Sequence, residues 1–196
     1  QFVTSFREYG LAQQFGNPAP FVGLQNYTEL LSSSGFWVIV LRSIAFMAVT
    51  AAVSMVLGIG LAVVMKNVGR VARLALQIAL LLAWAMPIVA QMTVWIWLFD
   101  DRNGIFNYML SWLPGVDLIG HNWLVEPLSF FAVASIIITW YSVPFIAFSC
   151  YAGFTQVSDE VLEAAQIDGA TPGQVLRKIM IPIIKPILAI VFLLQL

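Results

Sequence analysis

Glu163, Ala164, Ala165 and Gly169 sit within Glu160–Pro182, EVLEAAQIDGATPGQVLRKIMIP, where five charged side chains gather between two long apolar runs. Carboxylates beside small alanines suit docking rather than covalent chemistry. A second group is a hydroxyl stripe: Ser135, Thr139, Ser142 and Ser149 fall at offsets 0, 4, 7 and 14, which is one helical face. Trp140 and Tyr141 stand beside it. Hydroxyls trade hydrogen bonds and rings stack on sugar faces, so this stripe can line a path for a polyol. Equally, Ser and Thr in such a run bond their own helix backbone or a neighbouring span. Gln91 and Gln195 are the other strongly polar groups in apolar surroundings, and each can line the same path or hold helices together. Catalytic chemistry finds little to work with. His121 is the only histidine and Cys150 the only cysteine, which excludes an internal disulfide and a cysteine-based metal cluster and favours a solvated loop histidine over a zinc ligand.

The elements that position these groups are apolar. The chain is 61% hydrophobic and 10% charged, with mean hydropathy +0.91, against about 25% charged in ordinary soluble domains. Ile44–Met65, Leu74–Phe99 and Ser129–Cys150 carry no Asp, Glu, Lys or Arg, and each meets the length of about 20 residues that a helical span needs. A fourth run begins near Ile187 and continues to Leu196. The expected fold class is therefore all-α, a polytopic transmembrane helical bundle, with this chain a fragment of it. A net charge of −1 gives no nucleic-acid footprint.

Charge placement orients the spans. Lys66, Arg70 and Arg73 lie between the first two runs, and Arg177, Lys178 and Lys185 follow the third. The loop 100–128 holds one Arg102 against Asp100, Asp101, Asp117 and Glu126. Lys and Arg concentrate on the cytoplasmic side. The expected order is an external segment 1–35, a span 36–65, a cytosolic link 66–73, a span 74–99, an external loop 100–128, a span 129–150, a cytosolic loop 151–185 and the start of a further span at 186–196. Arg42 then reaches the outer interface by snorkelling.

Local signals refine this order. Thr50, Ser54, Gly58 and Ala62 repeat every four residues, a small-residue face for close helix packing. Pro87 and Pro144 lie inside apolar runs, where each kinks a helix. Asn103-Gly104 marks a turn, and IFNYMLSWL after it reads as an interfacial helix. In the opening segment Ser158 can cap a helix through Asp168, with Asp159 and Glu160 in its first turn. Gly169 suits the left-handed residue that ends it. Thr171-Pro172-Gly173-Gln174 restarts a helix with capping-box spacing, and Pro182 ends it. Such a helix–turn–helix is too polar for lipid and too apolar for bare water. It either docks in a groove of another protein or packs as a plain connector on its own bundle.

The spacing here resembles the EAA loop of binding-protein-dependent ABC importer permeases: Glu-Ala-Ala, three residues, Gly, nine residues, then Ile-x-Leu-Pro. This chain has Glu163-Ala164-Ala165, Gly169 and Ile179-Met180-Ile181-Pro182, departing only at Ile181. Asp168 and Ala170 match the Asp-Gly-Ala core. FVGLQNYTELL at 21–31 and WLVEP at 123–127 are similar to segments of the carbohydrate, maltose-type branch. The resemblance implies a type I importer permease with about four of six core spans present, the last one truncated, in a bacterial or archaeal cytoplasmic membrane. It implies three protein partners: a cytosolic ATPase dimer, a second homologous permease distinct from this one, and an extracytoplasmic binding protein. The loop would then be a coupling helix seated in an ATPase cleft. Glu163 would make the polar or ionic contact, Ala164 and Ala165 the close packing, Gly169 the turn, and Pro182 the angle back to the membrane. ATP and Mg would belong to the partner ATPase, since this chain has no G-x-x-x-x-G-K-[ST] loop. The expected cargo is a sugar or oligosaccharide. Glycerol phosphate, polyamine, amino acid or inorganic anion is the alternative, and an ion-coupled transporter or channel a further one; the latter usually buries an ionisable residue that these spans lack.

Overall fold

A computed structural model describes residues 2–196. Among them the regular structure is helical, apart from one isolated antiparallel bridge. The chain divides into two units, Gln1–Ala45 and Phe46–Leu196.

In the first unit a short turn, Thr4–Phe6, and α1, Leu11–Gln14, precede α2, Gln25–Ser32. Arg7 bridges Phe21, with Glu8 N donating to Pro20 O at 3.0 Å and Val22 N to Phe6 O at 2.9 Å. The Phe6 ring stacks on Phe21 and tilts against Tyr27. Asn26 Nδ2 donates to Ser5 O and Arg7 O. A proline-bearing segment without a ladder is thus held by one aromatic cluster and one side-chain amide. Trp37 Nε1 donates to Leu31 O at 2.8 Å, fixing the entry into the next helix.

That helix, α3, runs from Ser34 to Asn67. Together with α7, Pro127–Phe154, it is long and apolar enough to cross a membrane. In the second unit the two pack through the small-residue face. Thr50, Ser54, Gly58 and Ala62 are all buried. Thr50 Oγ1 pairs with Ser135 Oγ at 3.0 Å, and Ser54 Oγ donates to Thr139 Oγ1 at 3.3 Å. At Gly58 the backbones come so close that an added Cβ would meet Ile146 Cγ2 at 2.5 Å. Small residues make this approach possible, and in lipid, packing and interhelical hydrogen bonds drive association. Pro144 lies within α7, which continues through it as one helix.

Between them the apolar run 74–99 is not a single kinked helix. It forms α4, Arg70–Ala85, and α5, Ile88–Leu98, bent by 97° at the break. The pair passes the criteria for a span only together. Met86 is extended, with ψ 131°, as a residue before proline prefers. Past the break, α6, Ile105–Leu110, sits in the acidic loop.

After α7 come α8, Asp159–Ile167; α9, Pro172–Val175; a wide π turn, Leu176–Met180; and α10, Ile181–Ile183. Pro182 therefore does not end the second helix: the π turn lets the chain wind past it, with Ile181 N bonding Leu176 O. The final α11, Lys185–Leu193, packs on α7, where a Cβ on Gly153 would meet Ile184 Cγ2 and Ile187 Cδ1 at 2.9 Å. Met65, Ile146, Ala147, Cys150, Phe154, Met180, Ile184 and Val191 form the core.

Candidate functional site

The loop between α7 and α11 is built from its caps outward. Ser158 stands at the N-cap of α8 without a side-chain hydrogen bond, so Asp159 and Glu160 in the first turn meet the dipole alone. The C-terminus is closed by a paired motif: Gly169 N donates to Gln166 O at 3.0 Å and Ala170 N to Ala165 O at 2.9 Å. That geometry requires a left-handed residue, and Gly169 has φ +77°. Two residues on, Thr171 N donates to Gln174 Oε1 at 2.8 Å and Gln174 N to Thr171 Oγ1 at 3.4 Å, the reciprocal capping box.

The two faces of α8 differ. Leu162 and Ala165 turn inward; Ala165 is buried and Leu162 packs against the core. Glu160, Glu163, Ala164 and Ile167 lie on the opposite stripe and are exposed, Ile167 at 86% and Val161 beside it at 42%. The structure thus separates the two alanines: Ala165 is spent on the chain's own bundle, and Ala164 remains free to meet something else. Asp168, Gly169 and Pro182 are exposed and Ala170 half-buried. Glu163, Ala164 and Asp168 are brought to one outward surface; Pro182 lies beyond the π turn on a different element.

Basic groups collect around this loop. Lys66 Nζ lies 3.9 Å from Met180 Sδ, joining the end of α3 to the π turn. Arg73 Nε donates to Met65 O at 2.8 Å and Arg73 Nη2 to Val68 O at 3.1 Å, satisfying carbonyls that the end of α3 leaves open. Its guanidinium stands over the Tyr151 ring at 5.8 Å. The two basic segments of the sequence therefore meet at one end of the bundle.

The membrane residues behave differently from one another. Ser135, Thr139 and Trp140 line a cavity of about 630 Å³ among α3, α4, α5 and α7, with Trp95 opposite Trp140. The rest of its wall is aliphatic, from Val53, Leu57, Leu80 and Val143. The Ser135 and Thr139 hydroxyls are engaged with Thr50 and Ser54, so this cavity suits an apolar occupant better than a polyol. Ser142 is buried and Tyr141 exposed, and neither lines that cavity. Ser149 lines a separate recess with Leu81, Trp84, Phe145 and Phe148. Gln91 is 3% exposed, and its amide Nε2 donates to Ala83 O at 3.1 Å and Met86 O at 2.9 Å. Gln195 lies past α11, is half-buried and lines neither recess. The predicted stripe is thus not one surface.

Asn107 is a further buried polar residue that its spacing in the sequence does not single out. Its side chain is buried, and Nδ2 reaches Asp101 O at 3.0 Å, His121 O at 2.9 Å and, more weakly, Asp100 O at 3.4 Å. Its Oδ1 accepts from Trp123 Nε1. Around it, Phe99 stacks on Phe106 at 4.4 Å, Trp95 stacks on Phe99, and Trp140 meets Trp95 edge-on at 6.1 Å. The visible signal was the polar Asn within IFNYMLSWL. Among the described residues no group of three His, Cys, Asp or Glu side chains gathers to hold a metal ion.

This arrangement has relatives. The chain matches the family described as "Binding-protein-dependent transport system inner membrane component" over residues 54–196. It is 38% identical to the diacetylchitobiose uptake system permease protein of Streptomyces coelicolor, across 95% of this chain and 57% of that protein. It is 32% identical to the trehalose/maltose transport system permease protein of Thermococcus litoralis, across 90% and 58%. A crystal structure of a bacterial alginate ABC transporter in complex with alginate pentasaccharide-bound periplasmic protein matches with TM-score 0.71 and 25% identity, across 88% of this chain and 59% of that one. The chain thus spans about three fifths of the length of the curated relatives. An all-helical bundle with an α8–α9 loop at its basic end, matched over most of its length, places the chain in the family of binding-protein-dependent transport system inner membrane components, the transport permeases.

Proposed function

We propose that this chain is the membrane-spanning permease part of an ATP-driven importer of a sugar or oligosaccharide. The observation that carries the reading is the outward stripe of α8. Glu163, Ala164 and an almost fully exposed Ile167 stand on a helix closed at its C-terminus by the Gly169 turn, at the basic end of the bundle. In water alone that apolar surface has no counterpart. In the cleft of a cytosolic ATPase subunit, Ile167 would be desolvated, Ala164 would allow close approach and Glu163 would make a polar or ionic contact. Asp168, Gly169 and Ala170 would fix the end of the seated helix, and Pro182 would help set its return to the membrane. ATP binding would then move α8, and α8 would move α7 and α11 through the shared core. The chain itself would hold no cofactor; ATP and Mg would be used by the partner ATPase dimer.

The remaining parts follow the same reading. A second homologous permease, a chain distinct from this one, would complete the path. An extracytoplasmic binding protein would deliver the cargo, and the assembly would lie in the bacterial or archaeal cytoplasmic membrane, with the acidic loop outside. Sugar cargo is favoured by the relatives, which are named for diacetylchitobiose, trehalose/maltose and alginate. The direct test is ATP hydrolysis by the full-length protein co-purified with its partners, with a panel of sugars and the binding protein present. An associated ATPase stimulated by one sugar is the expected result. Stimulation by an anion, polyamine or amino acid instead would overturn the cargo. An intact complex without an ATPase would overturn the importer.

A further inference from the structure

The break between α4 and α5 poses a problem of unpaired carbonyls. In a continuous helix the N–H of residue 87 would bond Ala83 O, but Pro87 has no N–H. Met86 is extended, so its own carbonyl also falls outside the helical ladder. A carbonyl without a partner costs several kcal/mol in hydrocarbon. Pro87 O is already taken, by Gln91 N at 3.0 Å, as the first bond of α5. Ala83 O and Met86 O are two of the carbonyls that the break leaves open.

One side chain serves both. Gln91 Nε2 has two hydrogens, and it donates to Ala83 O at 3.1 Å and to Met86 O at 2.9 Å. Its donors are then used up, and the group is 3% exposed. Gln91 lies on α5 and Ala83 on α4, so the amide ties the two half-helices across their 97° bend. One turn further along α5, Trp95 stands edge-on to Trp140 of α7 and stacks on Phe99 and Phe106. The angle at the break thus decides where Trp95 sits in the cavity wall.

We propose that Gln91 is a positioning residue for transport: its side-chain amide replaces the N–H that Pro87 lacks, sets the α4–α5 angle and so holds Trp95 against Trp140. The proposal rests on the permease reading for its link to uptake, while its geometric half stands without it. It also assigns Gln91 a role other than hydrogen-bonding to cargo.

The experiment uses the complete transporter, reconstituted in lipid, with spin labels on cysteines replacing the exposed Ile78 of α4 and Ile96 of α5, in a C150A background. Q91M keeps the volume of the side chain and removes both donors. The unaltered protein is expected to give one narrow label distance. Q91M is expected to broaden or shift it and to lower maximal uptake at least 10-fold, with the KM for cargo within twofold. P87A/Q91M restores an N–H for Ala83 O, so it should accumulate to at least the level of Q91M and give one narrow, longer distance as the pair straightens. An unchanged distance in Q91M overturns the proposal. So does a raised KM without a change in distance, which would mean that Gln91 touches cargo. If Q91M fails to accumulate, the P87A/Q91M double variant decides: failure of both shows that the amide does not replace the missing N–H. Absence of ATP-driven uptake in the parent transporter would sink the importer reading and leave the distance measurements to judge the latch.

Discussion

Gly58→Ala puts a number on the tight packing between α3 and α7. The added Cβ would lie 2.5 Å from Ile146 Cγ2, 2.6 Å from Ile146 Cβ and 3.3 Å from Ala147 N. Carbon atoms in contact sit about 3.5–4.0 Å apart, so the deficit is about 1 Å. Turning the Ile146 side chain moves Cγ2 but leaves Cβ in place, and Ile146 is fully buried. The helices must therefore separate, which stretches the Thr50–Ser135 and Ser54–Thr139 bonds above the clash. Overpacking of this kind costs about 1–3 kcal/mol. Cys150, the only cysteine, is fully buried one turn along α7 and reports the opening. In detergent, under conditions where opening precedes reaction, a maleimide should label G58A about 5- to 150-fold faster than the parent, that cost converted at 1.36 kcal/mol per factor of ten. I146A keeps the offending Cβ and should not rescue G58A. I146G removes it, so adding G58A to I146G should change labelling less than twofold. Parent-like labelling of G58A, or full rescue by I146A, would refute the packing argument.

Three other outcomes follow from the same geometry. G169A meets no atom within 4 Å, so only its φ of +77° resists; the cost is about 1–2 kcal/mol and uptake should fall modestly. G169P also deletes the N–H bonded to Gln166 O, and should abolish ATP-driven uptake while the protein stays in the membrane; normal uptake by G169P would count against the coupling role. N107L leaves buried carbonyls and the Trp123 indole unpaired, at about 1–3 kcal/mol for each group kept from water, and limited proteolysis should cut the 100–128 loop faster than in the parent. S54A/T139V removes both partners of one pair, so thermal stability should fall by less than about 1 kcal/mol and uptake should stay within twofold; a large uptake loss without a stability change would return Thr139 to the cargo path.

Much of the architecture was legible because lipid imposes a length and an apolar composition on every helical span. The all-helical class, the small-residue face of α3 and the Gly169 turn all depend on near neighbours in the chain, where spacing reads out geometry directly. So does the capping box at Thr171–Gln174. The resemblance of the Glu163–Pro182 spacing to a permease loop was legible for the same reason: that spacing is local.

What the sequence by itself determined is therefore the helical bundle, its charge asymmetry and the helix–turn–helix of the 151–185 loop, all products of periodicity, capping and charge. Tertiary structure decided which face of each helix meets a neighbour. It assigned the Ser135 and Thr139 hydroxyls to α3, turned Ala165 inward and Ala164 outward, and made the 74–99 run a bent pair instead of a kinked rod. It alone brought Gln91 to Ala83 O and Met86 O, and Asn107 to Asp101, His121 and Trp123. A buried polar side chain takes whichever unpaired group comes within about 3 Å, and that proximity exists only once the elements have packed.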